Sequence, residues 1–104
     1  MKVAISCNGN SADAAVDSRF GRCAYFAFYD TESNTLEFEA NPGKDASEGA
    51  GPAAVNFVAN RNVGKIVSGE FGFKIKNMLT DLKIQMVIVK DSKTVRDIAE
   101  LLKQ

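Results

Sequence analysis

The feature of this sequence that most limits its fold is a change of hydrophobic rhythm near residue 50. Ahead of it, Val3, Ile5 and Cys7 alternate with Ala4 and Ser6, and Leu36, Phe38 and Ala40 alternate with Glu37 and Glu39. A period of two is that of a strand with one face buried. Residues 23–29 are aromatic and apolar, and Asp30-Thr31-Glu32-Ser33-Asn34 separates them from 36–40, which predicts a hairpin. Beyond residue 50 the spacing turns helical. Residues 52–60 form a candidate helix, 65–68 a short strand, and 73–82 a helix with Ile75, Met78, Leu79 and Leu82 on one face. Residues 84–89 are a nearly unbroken β-branched run, as in a strand covered on both faces, and Val95, Ile98, Ala99 and Leu102 repeat the helical stripe. Ser92 or Thr94 can cap that last helix. The order βββαβαβα predicts an α/β fold with a mixed sheet of about five strands covered by three helices. Short connections favour pairing of residues 23–29 with both the first strand and 36–40.

The chain has 104 residues, 45% hydrophobic and 25% charged, which suits one domain with a core large enough to fold without disulfides. Its 13 basic and 13 acidic residues cancel and form no long block, so no broad field draws it to nucleic acid or to an anionic membrane. The apolar start is too short for a signal segment, and no later run approaches the ~18 residues of a membrane span. The expected location is the cytosol, where Cys7 and Cys23 would be thiols or ligands. Histidine is absent, which removes the commonest general base and every imidazole metal site. The chain reads as one that binds or carries rather than one that catalyses.

Antiparallel pairing of the first two strands brings Cys7 and Cys23 to the same edge of the sheet. Two thiolates there could hold an iron–sulfur or mixed-metal cluster that brings its other ligands as sulfide, although a free cysteine more often packs as a small hydrophobe. The long loop between them, residues 8–22, ends in Arg19-Phe20-Gly21-Arg22, whose arginines could bind a polyanion and lower the pKa of the adjoining thiol, or merely be solvated. Gly69-Glu70-Phe71-Gly72 follows a strand and opens a helix, so its free N–H groups, with Lys74, make an anion site or a plain turn. The run Gly49-Ala50-Gly51-Pro52-Ala53-Ala54 nominally fits a dinucleotide fingerprint but does not follow its strand directly, and reads better as a flexible loop before a helix.

Several of these residues together resemble the dinitrogenase iron-molybdenum cofactor biosynthesis family, the small NifX-like and NifB C-terminal-like domains. The resemblance runs through Lys2-Val3-Ala4-Ile5, Arg19-Phe20-Gly21-Arg22-Cys23-Ala24-Tyr25-Phe26, Tyr29-Asp30, Asn41-Pro42, Gly49-Ala50-Gly51, Ser68-Gly69, Gly72 and Lys74. It implies a ribonuclease H-like fold without nuclease activity and a role in binding or delivering iron–sulfur or molybdenum-containing cluster precursors between donor and acceptor proteins. The family pattern has a histidine where Arg19 stands, so cluster binding here would rest on Cys7 and Cys23 or on anion contacts at Arg19, Phe20, Gly21, Arg22, Gly49, Gly51, Gly69, Gly72 and Lys74. The alternative is a non-metal anion-binding or regulatory module of the same fold that has lost the cluster ligands; a nucleotide-dependent enzyme is a third class.

Overall fold

The computed structural model describes residues 1–103. Among these residues five strands form one sheet: β1 (Lys2–Cys7), β2 (Tyr25–Asp30), β3 (Thr35–Ala40), β4 (Lys65–Ser68) and β5 (Gln85–Ile88). The helices of the described residues are α1 (Ala50–Ala59), α2 (Phe73–Asp81) and α3 (Val95–Leu102). The sheet order is β3-β2-β1-β4-β5. β2 pairs antiparallel with both β1 and β3, while β4 runs parallel to β1 and β5 parallel to β4. The predicted order of elements is observed, as is the pairing of the second strand with both the first and the third.

Alternation along the strands divides the interior into two cores. Ala4, Phe26, Phe28 and Ile66 face α1 and α2, meeting Val55, Val58, Ile75 and Leu79. Val3, Ile5, Ala27, Tyr29 and Val67 face the other way, toward Val95, Ile98 and Ala99 of α3. Tyr29 paired with Val3 and Ala27 with Ile5 place the same parity on one face. Where Glu39 of β3 turns to the α1 side, Arg61 meets it, donating from Nε at 2.6 Å, and its guanidinium lies 3.9 Å from the ring centre of Phe57. That stacking covers the aromatic core at the rim of the sheet.

The differences from the sequence expectation are local. β2 begins at Tyr25, so Cys23 precedes it. α1 starts at Ala50, and Pro52 occupies its first turn, where a missing N–H costs nothing. The last strand is not covered on both faces: β5 is the outer strand, and Val87 and Ile88 remain 38% and 46% exposed. Leu82, expected on the buried helical face, lies beyond the end of α2 and is exposed. Of the two cap candidates it is Thr94 that caps α3, accepting from Asp97 N while the Asp97 carboxylate accepts from Thr94 N.

Candidate functional site

β1 and β4 run side by side and end together at Cys7 and Ser68; after β1 the chain packs Ala14 and Val16 on the α3 side, and after β4 it packs Phe71 and Ile75 on the other. A position of that kind at the carboxyl ends of parallel strands is where open α/β sheets receive ligands. The long loop 8–24 crosses it. Asp17 N donates to Ser6 O at 2.9 Å and Gly69 N donates to Asp17 O at 3.1 Å, so one loop residue bridges both strand ends. Beneath it the buried hydroxyls of Ser6 and Ser68 lie 2.8 Å apart, and Ser6 Oγ is 2.9 Å from Asp17 O. Neither serine stands out in the sequence, because alternating serines in a strand look like surface.

Glycines let three loops close on one another. A Cβ on Gly21 would lie 2.9 Å from Gly51 N, and one on Gly69 only 2.4 Å from Ser18 Cα. The loop carrying Arg19 and Arg22 is thus pressed against both the start of α1 and the turn before α2. Gly51 in turn packs on Ile75 of α2, which sets the two helix starts side by side. Both starts are bare. Gly49 caps α1 at φ 75° and Gly72 caps α2 in extended backbone; neither helix has a side-chain cap or an acidic residue in its first turn. The start of α2 is exposed at Gly72, Phe73 and Lys74, whereas that of α1 is partly covered, with Ala50 buried and Gly21 packed on Gly51; both present positive dipole ends.

The charged residues divide by role. Arg19 is 62% exposed and donates from Nε and Nη2 to the largely covered Asp17 carboxylate at 3.2 and 3.3 Å, which holds the guanidinium above its ordinary pKa. Arg22 donates from Nη1 to Lys44 O at 3.0 Å and to Ala46 O, tying the loop 41–49 in place. Lys74 is exposed in the first turn of α2. Phe20 is buried against Phe26 and Phe71, with ring centres 5.5 and 5.7 Å away, and anchors the loop from below. Asn41 does the same from the side: its Nδ2 donates to Gly21 O and Cys23 O at 3.0 and 2.9 Å, and its Oδ1 accepts from Gly43 N. The signal for Asn41 is the Asn-Pro step after a strand, but nothing local says which carbonyls it serves.

Cys7 and Cys23 come to the same end of the sheet, and the structure turns them to different cores: Cys7 packs on the α3 side and Cys23 with Phe20 and Phe26 on the other. Both are buried. The Cys7 thiol donates to Gly9 O at 3.3 Å and Cys23 to Phe20 O at 3.3 Å. Burial pushes Cys7 up to about 11 and Cys23 to about 12, with the negative Asp17 adding to both, so the neighbouring arginines do not lower the thiol pKa as expected and each is a neutral thiol at physiological pH. Among the described residues no three His, Cys, Asp or Glu side chains gather to hold a metal ion, no enclosed pocket forms, and no helix is long and apolar enough to cross a membrane.

Fold and site together define a small α/β protein in which three loops gather at the carboxyl end of a mixed sheet. The chain belongs to the dinitrogenase iron-molybdenum cofactor family, which it matches over residues 1–104. Its fold is similar to the apo form of the orange protein from Desulfovibrio gigas, at 29% identity and TM-score 0.89, covering 95% of this chain and 83% of that one. It is also similar to a putative NifB protein from Thermotoga, at 28% identity and TM-score 0.81, covering 95% of this chain and 84% of that one. No curated protein sequence matches the chain.

Proposed function

We propose that this protein carries an anionic metal cluster, iron–sulfur or molybdenum-containing, between a donor and an acceptor protein, and that it takes the cluster at the adjoining starts of α1 and α2. One observation carries the reading: two helices in contact begin with uncapped glycines and no acidic residue, while α3 of the same chain has a complete capping box. Helix starts without acids or side-chain caps leave their N–H groups to water or to an anion, and their positive dipole ends favour the anion. The family name supplies the class of cargo. A metallate or cluster spreads negative charge over several oxygen or sulfur atoms, each able to accept from a backbone N–H or from Lys74 and Arg19. Arg19 commits Nε and Nη2 to Asp17 and has Nη1 to spare among the described residues.

Amide binding on an open surface suits transfer, because release breaks no bond between metal and protein. It also supports the reading of a carrier rather than a catalyst, for which the reducing cytosol is the proposed setting. Cys7 and Cys23 enter as the thiolate pair only after the loop 8–24 opens and both thiols ionise. The absence of histidine favours the second reading, a module for non-metal anions.

Amide NMR titration at low ionic strength with molybdate, tetrathiomolybdate and sulfate tests the proposal. Shifts should concentrate at Ala50, Gly51, Ala53, Phe73, Lys74 and Ile75, and each of Arg19→Gln and Lys74→Gln should weaken binding roughly two- to fivefold, the scale of one exposed charge near a helix start. Equal response to sulfate and tetrathiomolybdate selects the non-metal module. Shifts absent from both helix starts overturn the site.

A further inference from the structure

The outer strand β5 has the composition of an interior strand. Gln85-Met86-Val87-Ile88 carries no charge, lies within the apolar run of residues 84–89, and leaves Val87 and Ile88 exposed at an open sheet edge. The opposite edge is built differently: β3 carries Glu37 and Glu39, the second held by Arg61. Charged residues on an edge strand prevent further pairing, and their absence leaves a template for it. We infer that β5 pairs antiparallel with β5 of a second copy of this chain, joining two five-stranded sheets about a twofold axis.

The backbone and the charges select this occupant and its register. Gln85 N donates to Gly64 O and Val89 N to Ser68 O, both toward β4. Alternation therefore turns the N–H and C=O of Met86 and Ile88 outward, so only registers that pair outward residues are allowed. Setting Met86 opposite Ile88 of the second copy places Val87 across from Val87 on the axis, where two β-branched side chains approach most closely. It also sets Lys83 of each copy, just before the strand, beside Asp91 of the other, just after it. Both are exposed; Lys83 has no ion-pair partner among the described residues, and Asp91, 3.4 Å from Lys93 of its own chain, would add Lys83 of the other copy. A neighbouring register that pairs Met86 with Met86 or Ile88 with Ile88 loses this match. Antiparallel pairing points the carboxyl ends of the two sheets in opposite directions, so both proposed cargo surfaces stay free. The interface and the cargo site can therefore fail independently.

A four-residue edge makes a small interface, so the dimer should be weak, with a dissociation constant on the order of 0.1 mM. Sedimentation velocity of the full chain from about 10 μM to 1 mM should show a concentration-dependent dimer, with amide-exchange protection gained at Met86 and Ile88. Val87→Lys puts two like charges on the axis and should leave monomer throughout while keeping the far-UV spectrum. Lys83→Asp should weaken association about threefold to tenfold, Asp91→Lys likewise, and the double exchange should restore it. A chain that stays monomeric at 1 mM overturns the inference, as does a dimer indifferent to Val87→Lys and to the charge exchange.

Discussion

A Cβ on Gly69 would meet backbone, 2.4 Å from Ser18 Cα, whereas one on Gly51 would meet the tip of the Ile75 side chain at 2.7 Å. Backbone held by hydrogen bonds to two strands cannot step aside, but a side-chain methyl can. Gly69→Ala should therefore destabilise by about 1–3 kcal/mol, the usual cost of overpacking, with Gly21→Ala close behind because it too meets backbone. Gly51→Ala should come out near neutral, since an alanine inside a helix recovers roughly 0.5–1 kcal/mol. Urea midpoints of the three variants check the ranking, which fails if Gly51→Ala costs as much as Gly69→Ala. The two thiols give a second expectation at this scale. Their folded values, about 11 and about 12, lie above the ordinary 9.0. Below pH about 9 both states hold the protons and stability is unaffected. Above it the unfolded chain releases protons that the folded chain keeps, so stability falls as pH rises through about 9 to 12. Urea midpoints measured from pH 8 to 10.5 should fall more steeply for the wild type than for Cys7→Ala/Cys23→Ala.

Among the elements, α2 tests the trade between stability and binding. Gly72 has φ −65° and ψ 158°, ordinary extended backbone, and no atom lies within 4 Å of where its Cβ would stand. Gly72→Asp should therefore cap the helix, as Thr94 caps α3, and raise stability by a few tenths of a kcal/mol to about 1. The same carboxylate would occupy the N–H groups proposed for the cargo, so molybdate or thiomolybdate affinity should drop at least about tenfold. Thr94→Ala should do the reverse, costing about 1 kcal/mol and leaving affinity unchanged. A Gly72→Asp protein that melts higher and binds as before would place the cargo elsewhere. The elements themselves were legible because period two and period 3.6 report which side of the chain is apolar. What period cannot report is position in the sheet: residues 84–89 read as covered on both faces because a β-branched run has the same pattern at an edge as in the centre. The start of α1 was similarly hidden, since Gly49-Ala50-Gly51 looks like loop until Gly21 and Ile75 are seen packing on it.

At the scale of the whole molecule, the sheet separates what the sequence puts together. Strand pairing correctly predicts that Cys7 and Cys23 reach one end of the sheet, since Cys7 pairs with Tyr25. The face was not legible, because Cys23 precedes β2 and the alternation that would place it beside Cys7 does not reach it. Asn41 and the carbonyl of Phe20 hold it on the α1 side, while Cys7 lies under α3. The loop between the cysteines is fastened to α3 as well: Val95 N and Arg96 N donate to Ala14 O and Ala12 O, and Val16 N to Lys93 O. Loosening α3 should therefore expose Cys7 and spare Cys23. Ile98→Ala and Leu79→Ala each leave a cavity costing about 2–5 kcal/mol, the first on the α3 side and the second on the α2 side. In a pulse of iodoacetamide read by peptide mass spectrometry, Ile98→Ala should accelerate labelling of Cys7 relative to Cys23, and Leu79→Ala should shift the ratio the other way, as expected where each core opens separately. Equal acceleration of both thiols in both variants would mean a single concerted opening. That opening would be the state in which Cys7 and Cys23 could ligate one cluster together, whereas selective labelling means joint ligation must break two cores at once, leaving the amide surface as the less costly site.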